Sequence, residues 1–428
     1  MMPLPEIIEI VPLQSEAPAE ITVPGSKSIT NRALVLAALS RGEVTLSGAL
    51  WSEDTQVMTD ALRRLGFEIT VTADDHEPCN RTICTHGLGG KVPNGGSAEH
   101  PLELFVGNAG TAARFLAALV CLGSGVYRLR GIERMHQRPQ AALFKALREL
   151  GYRIDSPNDQ LPADIFAVGP HKGVCRVDVD ASSQFGSALL LCAAAGGWTI
   201  HLAGKSSEET PYVDMTRQLI AAFPQQGGVF QIEPDASSAS YFYAANWLLK
   251  RSPQSRIRVA AFPKSNWQID AAFPRFLPLP EEISRRSHLG DSIMTAIVMA
   301  PFAATPTRFT DLERLRVQES ERVAGLGAEL AKCGVKLKEE GETLTVFPAD
   351  ETMHGAEIET YDDHRMAMCF GVLGLKVPGI KIKNPACVKK TFPNFFQKLA
   401  APPPAGLGAV IRDATTGRVL SEEQLFAH

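Results

Sequence analysis

The chain has 428 residues, 45% of them hydrophobic and 21% charged, with a formal net charge of −4. That length exceeds one ordinary core, and the composition excludes a disordered or collagen-like chain. No apolar run reaches the roughly 18 residues of a membrane span, and a pI near 6.2 argues against nucleic acid. The opening MMPLPEIIEIVPLQ lacks a basic stretch leading into an apolar one, so export is not expected and the location expected is cytoplasmic.

In chain order, VPGSKSITNR at 23–32 places Pro and Gly in a turn, then Lys27 and Ser28 at a helix start, with Arg32 one turn on. The spacing is not that of a P-loop. VGNAGTAAR at 106–114 reads as a Gly-rich strand-to-helix turn that lets backbone approach a ligand closely. RMHQRP at 134–139 sets Arg134 four residues before Arg138; arginine suits bidentate contacts to carboxylate or phosphate. ASSQFGS at 181–187 offers two hydroxyls and an amide at a helix start, a cradle for phosphate or a simple capping arrangement.

Two repeated patterns run beneath these motifs. LRRLGFEI at 62–69, LRELGYRI at 147–154 and LAKCGVKL at 330–337 each end a helix on Gly and start a strand. A second set opens with Ser, Thr or Asp and continues as an Ala-rich apolar helix: from 28, 110, 182, 237, 291 and 362. Six such units suit two domains of three units each. Helix N-termini carry unpaired N–H groups, so several converging ends with Lys27, Arg32, Arg114, Gln184 or Arg365 would attract anions.

Toward the end, LRVQESERV at 315–323, read as one helix, puts Leu315, Glu319, Arg322, Leu326 and Leu330 on one stripe. Glu319 and Arg322 then interrupt an apolar face. YDDHRMAMCF at 361–370 is a poor metal site, because adjacent Asp362, Asp363 and His364 point in different directions on a helix. KKTFPNFF at 389–396 sets a Lys pair before a Pro-containing turn. Of the eight cysteines, the close pair Cys79 and Cys84 fits no zinc spacing. Cys121, Cys192, Cys333 and Cys369 lie in apolar runs and read as buried structural thiols.

Taken together, PGSKSITNRAL, GNAGTAAR, RMHQRP, SSQF, DASSASYF, LRVQESERV and DDHRMAM with KKTFP resemble the 5-enolpyruvylshikimate-3-phosphate synthase family over about residues 5–399. The resemblance implies an α/β fold of two domains, each of three βαβαββ units forming an inside-out α/β barrel, with the active site in the interdomain cleft. It implies residues 26–233 as the N-terminal domain, and 1–25 with 234–428 as the C-terminal one. The implied reaction moves the carboxyvinyl group of phosphoenolpyruvate to the 5-hydroxyl of shikimate 3-phosphate, by addition and then elimination of phosphate. The implied partners are these two small molecules alone, acting on a monomer without metal or organic cofactor.

By position, the resemblance assigns Lys27, Ser28, Arg32, Ser182, Ser183, Gln184, Tyr212 and Asp291 to shikimate 3-phosphate. To phosphoenolpyruvate it assigns Lys27, Asn108, Gly110, Arg138, Gln184, Arg322, Arg365 and Lys390. Asp291 would accept the 5-hydroxyl proton, Glu319 would exchange the methylene proton, and Lys27 would complete the catalytic set. The chain departs from the family pattern at Gln318, where Lys is usual, and at Phe115, Gln137, Gly186 and Glu209. Gln318 implies weaker phosphoenolpyruvate affinity and lower glyphosate sensitivity. The segment 250–290 matches poorly, and the tail beyond 400 lies outside the pattern. A UDP-N-acetylglucosamine 1-carboxyvinyltransferase is disfavoured, since no cysteine sits in an Arg-rich loop. The remaining alternative is a divergent or inactive relative acting on another hydroxylated ring acid.

Overall fold

The computed structural model describes residues 4–180, 182–204, 210–349 and 353–428. These form two compact units. One comprises the residues up to Pro24, Pro234–Lys264 and Ile269–His428; the other comprises Gly25–Glu233 with Ser265–Gln268.

Each unit contains three sheets among the described residues. In the unit beginning at Gly25, one sheet orders Gly228–Gln231, Glu43–Leu50, Asn80–His86 and Ile69–Ala73, the first pair parallel and the others antiparallel. Leu102–Phe105, Ser124–Arg130, Ala163–Val168 and Arg153–Asp155 repeat that pattern. A parallel pair, Gly173–Asp178 with Trp198–Ala203, completes the unit. The other unit has the same inventory: Glu282–Ser284, Thr307–Thr310, Thr343–Val346 and Leu337–Glu340 form one four-stranded sheet. Glu357–Ile358, Ile380–Lys383, Ile7–Ile10 and Ile411–Asp413 form the second, and Ile257–Val259 pairs with Ala19–Ile21.

Three helices pack pairwise in the middle of each unit. They are Lys27–Leu39, Gly110–Leu119 and Ser183–Gly196 in one, and Ala236–Leu248, Ile293–Met299 and His364–Gly374 in the other. Small Ala and Ser side chains let them approach closely. Every residue of Gly110–Leu119, Ile293–Met299 and His364–Gly374 is buried, as expected for helices apolar on all sides. The three helix-stopping glycines adopt left-handed backbone, with φ of +96° at Gly66, +95° at Gly151 and +82° at Gly334.

Two local expectations are corrected. The helix at 110 is preceded by Ala109 and has no side-chain cap. LRVQESERV is not one helix: a 3₁₀ turn Glu313–Val317 ends at Gln318, and the α-helix starts only at Arg322. Glu321 sets that start, its carboxylate accepting from Ala324 N–H at 2.6 Å. Glu319 and Ser320 therefore lie on a bend, which frees Glu319 from the helical stripe. The tail beyond 400 adds the strand Ile411–Asp413 beside Ile7–Ile10, and buries Leu407, Leu420 and Leu425 in that unit's core.

Candidate active site

In the unit beginning at Gly25, the helix N-termini carry the expected cluster. Lys27 opens its helix and its Nζ lies 3.1 Å from Asp54, itself in the first turn of Glu53–Arg64. Ser182 caps the helix Ser183–Gly196, accepting from Gln184 N–H at 3.3 Å. The Gln184 side-chain amide donates to Thr111 Oγ1 at 3.3 Å, tying that helix start to the one at Gly110.

Arg32 is placed differently from a ligand-facing cation. It is buried and donates to Thr216 Oγ1 (2.7 Å), Ser28 carbonyl (2.8 Å), Ser187 Oγ (3.1 Å) and Tyr212 carbonyl (3.4 Å). Its guanidinium also lies 5.2 Å over the Phe115 ring. Burial pulls its pKa down to about 10, with Tyr212 opposing. The geometry makes Arg32 a brace between its own helix start and the helix carrying Tyr212.

At Gly110, two guanidiniums crowd the helix start. A methyl group there would come within 2.5 Å of Arg114 Nη1 and 2.6 Å of Arg138 Nη2, so any larger residue would displace the two guanidiniums. Arg138 Nη1 donates to the Asn108 carbonyl at 3.0 Å, and Arg114 Nη2 to the Pro139 carbonyl at 2.7 Å. Arg138 Nε is covered and has no acceptor among the described residues. Such a half-satisfied cation beside unpaired helix N–H groups is suited to an anion.

The second unit holds a denser charge cluster. Asp291 precedes the helix Ile293–Met299; its Oδ2 lies 3.0 Å from Arg365 Nη2, and its Oδ1 is 3.8 Å from both Arg322 and Arg285. Burial alone would raise its pKa, but Arg365, Arg322 and Arg285 hold it well below the usual carboxylate range, against Glu319. Glu319 lies 2.9 Å from Arg322 Nη2 and 3.7 Å from Lys390 Nζ. Arg322 is 1% exposed and also reaches Asp363 through Nε (2.7 Å) and the Gln318 amide oxygen through Nη1. Burial would lower the pKa of Arg322 but Asp363, Glu319 and Asp291 raise it, so it stays charged.

Four cations, Arg285, Arg322, Arg365 and Lys390, thus face three carboxylates, Asp291, Glu319 and Asp363. A cluster with surplus positive charge can take a phosphate or carboxylate while keeping two carboxylates near it for proton transfer.

The sequence-derived residues divide between the units. Lys27, Ser28, Arg32, Asn108, Gly110, Arg138, Ser182, Ser183, Gln184 and Tyr212 belong to one; Asp291, Glu319, Arg322, Arg365 and Lys390 belong to the other. Within the second, ion pairs link all five. Glu209 lies outside the described residues. Sequence reasoning missed Asp363, Arg285, Ser237 and Asp270. Asp363 was visible in the DDH run but weighed only as a metal ligand, and Asp270 and Arg285 fall in the poorly matching stretch. Ser237 Oγ accepts from Arg365 Nη1. Asp270 Oδ1 accepts from Gly290 N–H (2.8 Å) and Ser292 N–H (3.1 Å), on either side of Asp291.

A family model described as EPSP synthase (3-phosphoshikimate 1-carboxyvinyltransferase) matches residues 13–226 and 281–399. The 3-phosphoshikimate 1-carboxyvinyltransferase of Aeromonas salmonicida (strain A449) is 37% identical over 430 residues, covering 90% of this chain and 97% of the relative. That of Opitutus terrae is 38% identical over 437 residues, covering 93% and 98%. Among solved structures, EPSP synthase from Acinetobacter baumannii superposes with a TM-score of 0.71 at 21% identity, covering 95% of this chain and 99% of that one. The enolpyruvyl transferase NikO from Streptomyces tendae gives 0.66 at 17% identity, covering 96% and 99%. At these identities the solved structures speak for the fold alone.

Proposed function

This chain belongs to the EPSP synthase (3-phosphoshikimate 1-carboxyvinyltransferase) family, and on that premise we propose how its residues divide the reaction. The enzyme transfers the carboxyvinyl group of phosphoenolpyruvate to the 5-hydroxyl of shikimate 3-phosphate and releases phosphate. The helix-start cluster of Ser28, Ser182, Ser183 and Gln184 binds shikimate 3-phosphate, with Lys27 and Tyr212 alongside. Arg32 serves that site by holding the helices in place, which its buried hydrogen bonds support.

Phosphoenolpyruvate, a polyanion, is taken by Arg322, Arg365 and Lys390. Asp291 takes the 5-hydroxyl proton and Glu319 delivers a proton to the methylene carbon. Asp291 is a weak base among three arginines, so its contribution comes from placement rather than basicity. The hydroxyl proton leaves as a proton reaches the methylene carbon, so the adduct keeps the phosphate and carboxylate charges of the substrates, which the same arginines hold without reorganising. The enzyme is read as a cytoplasmic monomer, and its eight free cysteines are in keeping with a reducing compartment.

The observation that carries this assignment is the convergence of four cations on Asp291 and Glu319. Phosphate release from phosphoenolpyruvate, measured with and without shikimate 3-phosphate, tests it. Release that depends on both substrates is expected, and its absence at saturation would overturn the reading.

A further inference from the structure

A cavity of about 440 Å³ lies in the unit that contains Asp291, and none of the residues assigned above lines it. Its volume falls within the roughly 300–1,000 Å³ of small-molecule sites. Trp247, Leu277 and Phe302 supply an apolar wall, and Lys250, Arg251 and Lys376 supply positive charge. Lys376 Nζ already sits 5.6 Å from the Phe302 ring centroid, a cation held on an aromatic face.

Arg251 gives the cavity its chemical bias. Its Nε and Nη1 are shielded from solvent and have no acceptor among the described residues, so a ligand in the cavity meets the remainder of the guanidinium. A covered donor without a partner is costly, and most so on a charged group. Burial accordingly pulls the guanidinium pKa down, with Glu16 opposing. Lys250 and Arg251 follow the C-terminus of Ala236–Leu248, and Lys376 follows that of His364–Gly374. Those two helix ends carry partial negative charge and would by themselves repel an anion. Three full positive charges outweigh two partial negative ones together with the Glu16 carboxylate, so the cavity remains an anion site.

The three helices that reach the cavity are those that carry the charge cluster at their other ends. Ser237 and Arg365 meet at the N-terminal ends of two, and Asp291 precedes the third, Ile293–Met299, whose continuation Ala300–Phe302 ends at the cavity. A 13-residue helix spans about 20 Å, so the cavity is a separate site at the opposite end of one helical bundle. We propose that it binds a small planar anion, an aromatic carboxylate whose ring lies against Trp247 and Phe302 and whose carboxylate accepts from Arg251. This assignment does not depend on the transferase reading, because it concerns binding alone.

Calorimetric titration with benzoate as probe tests it. A ligand of this size is expected to bind on the order of 1 mM. Affinity should fall about tenfold in Arg251→Gln, and by a smaller factor in Lys376→Gln, which guards against misfolding of the first variant. Benzylamine, with the ring but the opposite charge, should not bind. Benzoate should stay bound when phosphoenolpyruvate and shikimate 3-phosphate are saturating. Absence of benzoate binding, unchanged affinity in both variants, or displacement by the two substrates would each overturn the proposal.

Discussion

Arg322 Nε lies 2.7 Å from Asp363 Oδ2, with both side chains buried, and Nη2 lies 3.2 Å from Oδ1 of the same carboxylate. The pair forms a two-point clasp that fixes the guanidinium plane. Asp363 also accepts from Arg365 N–H at 3.0 Å and from Ser320 Oγ at 3.0 Å. One carboxylate therefore positions both arginines and the bend that carries Glu319. Asp363→Asn keeps the shape but turns an amide donor toward Arg322. We expect kcat/KM for phosphoenolpyruvate to fall about 100-fold, near 2.7 kcal/mol, with shikimate 3-phosphate affinity little changed. A kcat/KM within twofold of the parent, measured by phosphate release, would remove Asp363 from the positioning role.

Gln318 also acts through Arg322, its amide oxygen accepting from Nη1. Lysine at that position loses the acceptor, but it brings a full charge into a cluster that must hold a polyanion. Arg322 Nη1 then has Asp291, 3.8 Å away, to turn toward. A hydrogen bond to a charged group contributes about 1.5–3 kcal/mol against about 0.5–1.5 kcal/mol for a neutral one, so Gln318→Lys should lower KM for phosphoenolpyruvate by roughly tenfold. Steady-state kinetics decide the matter: a KM that is unchanged or higher argues that the amide is already well adapted to its place.

Much of this arrangement was readable in the residues. The glycines 66, 151 and 334 marked helix ends because a left-handed backbone has few alternatives, and the Ala-rich helices announced their burial. Roles that depend on residues distant in sequence were less legible. The hydrogen bonds of Arg32 to Ser187, Tyr212 and Thr216 could not be read, because those residues lie more than 150 positions away. Glu319 appeared to share a helical face with Arg322 because periodicity does not reveal where a capping carboxylate, here Glu321, restarts the helix.

Asp270 supplies a case of this kind with its own consequence. It accepts from the backbone on both sides of Asp291 and is 6% exposed. Asp270→Ala should let the 290–292 turn relax and lower kcat about 30-fold, while Asp270→Asn, which keeps an acceptor, should recover most of the rate. KM for shikimate 3-phosphate should change less than kcat in both. Equal loss in the two variants, or loss that tracks melting temperature alone, would leave Asp270 with a merely structural part.

Asp291 finally links the cluster to pH. Its folded-state carboxyl is held below its ordinary value by Arg365, Arg322 and Arg285 after burial has been overcome. Its contribution to stability is therefore fully present above the unfolded pKa of about 3.9 and is lost as pH falls toward the folded value. Asp291→Asn should cost about 3 kcal/mol at neutral pH, because it removes the carboxylate that faces the buried Arg365. The gap between parent and variant should stay flat from about pH 8 to pH 5, then narrow below about pH 4 by up to 1.4 kcal/mol per unit. Urea unfolding at three pH values reads this directly. A gap that fails to narrow below about pH 4 would mean that Asp291 titrates at its ordinary value in the folded state, and that the arginines hold it less firmly than their geometry implies.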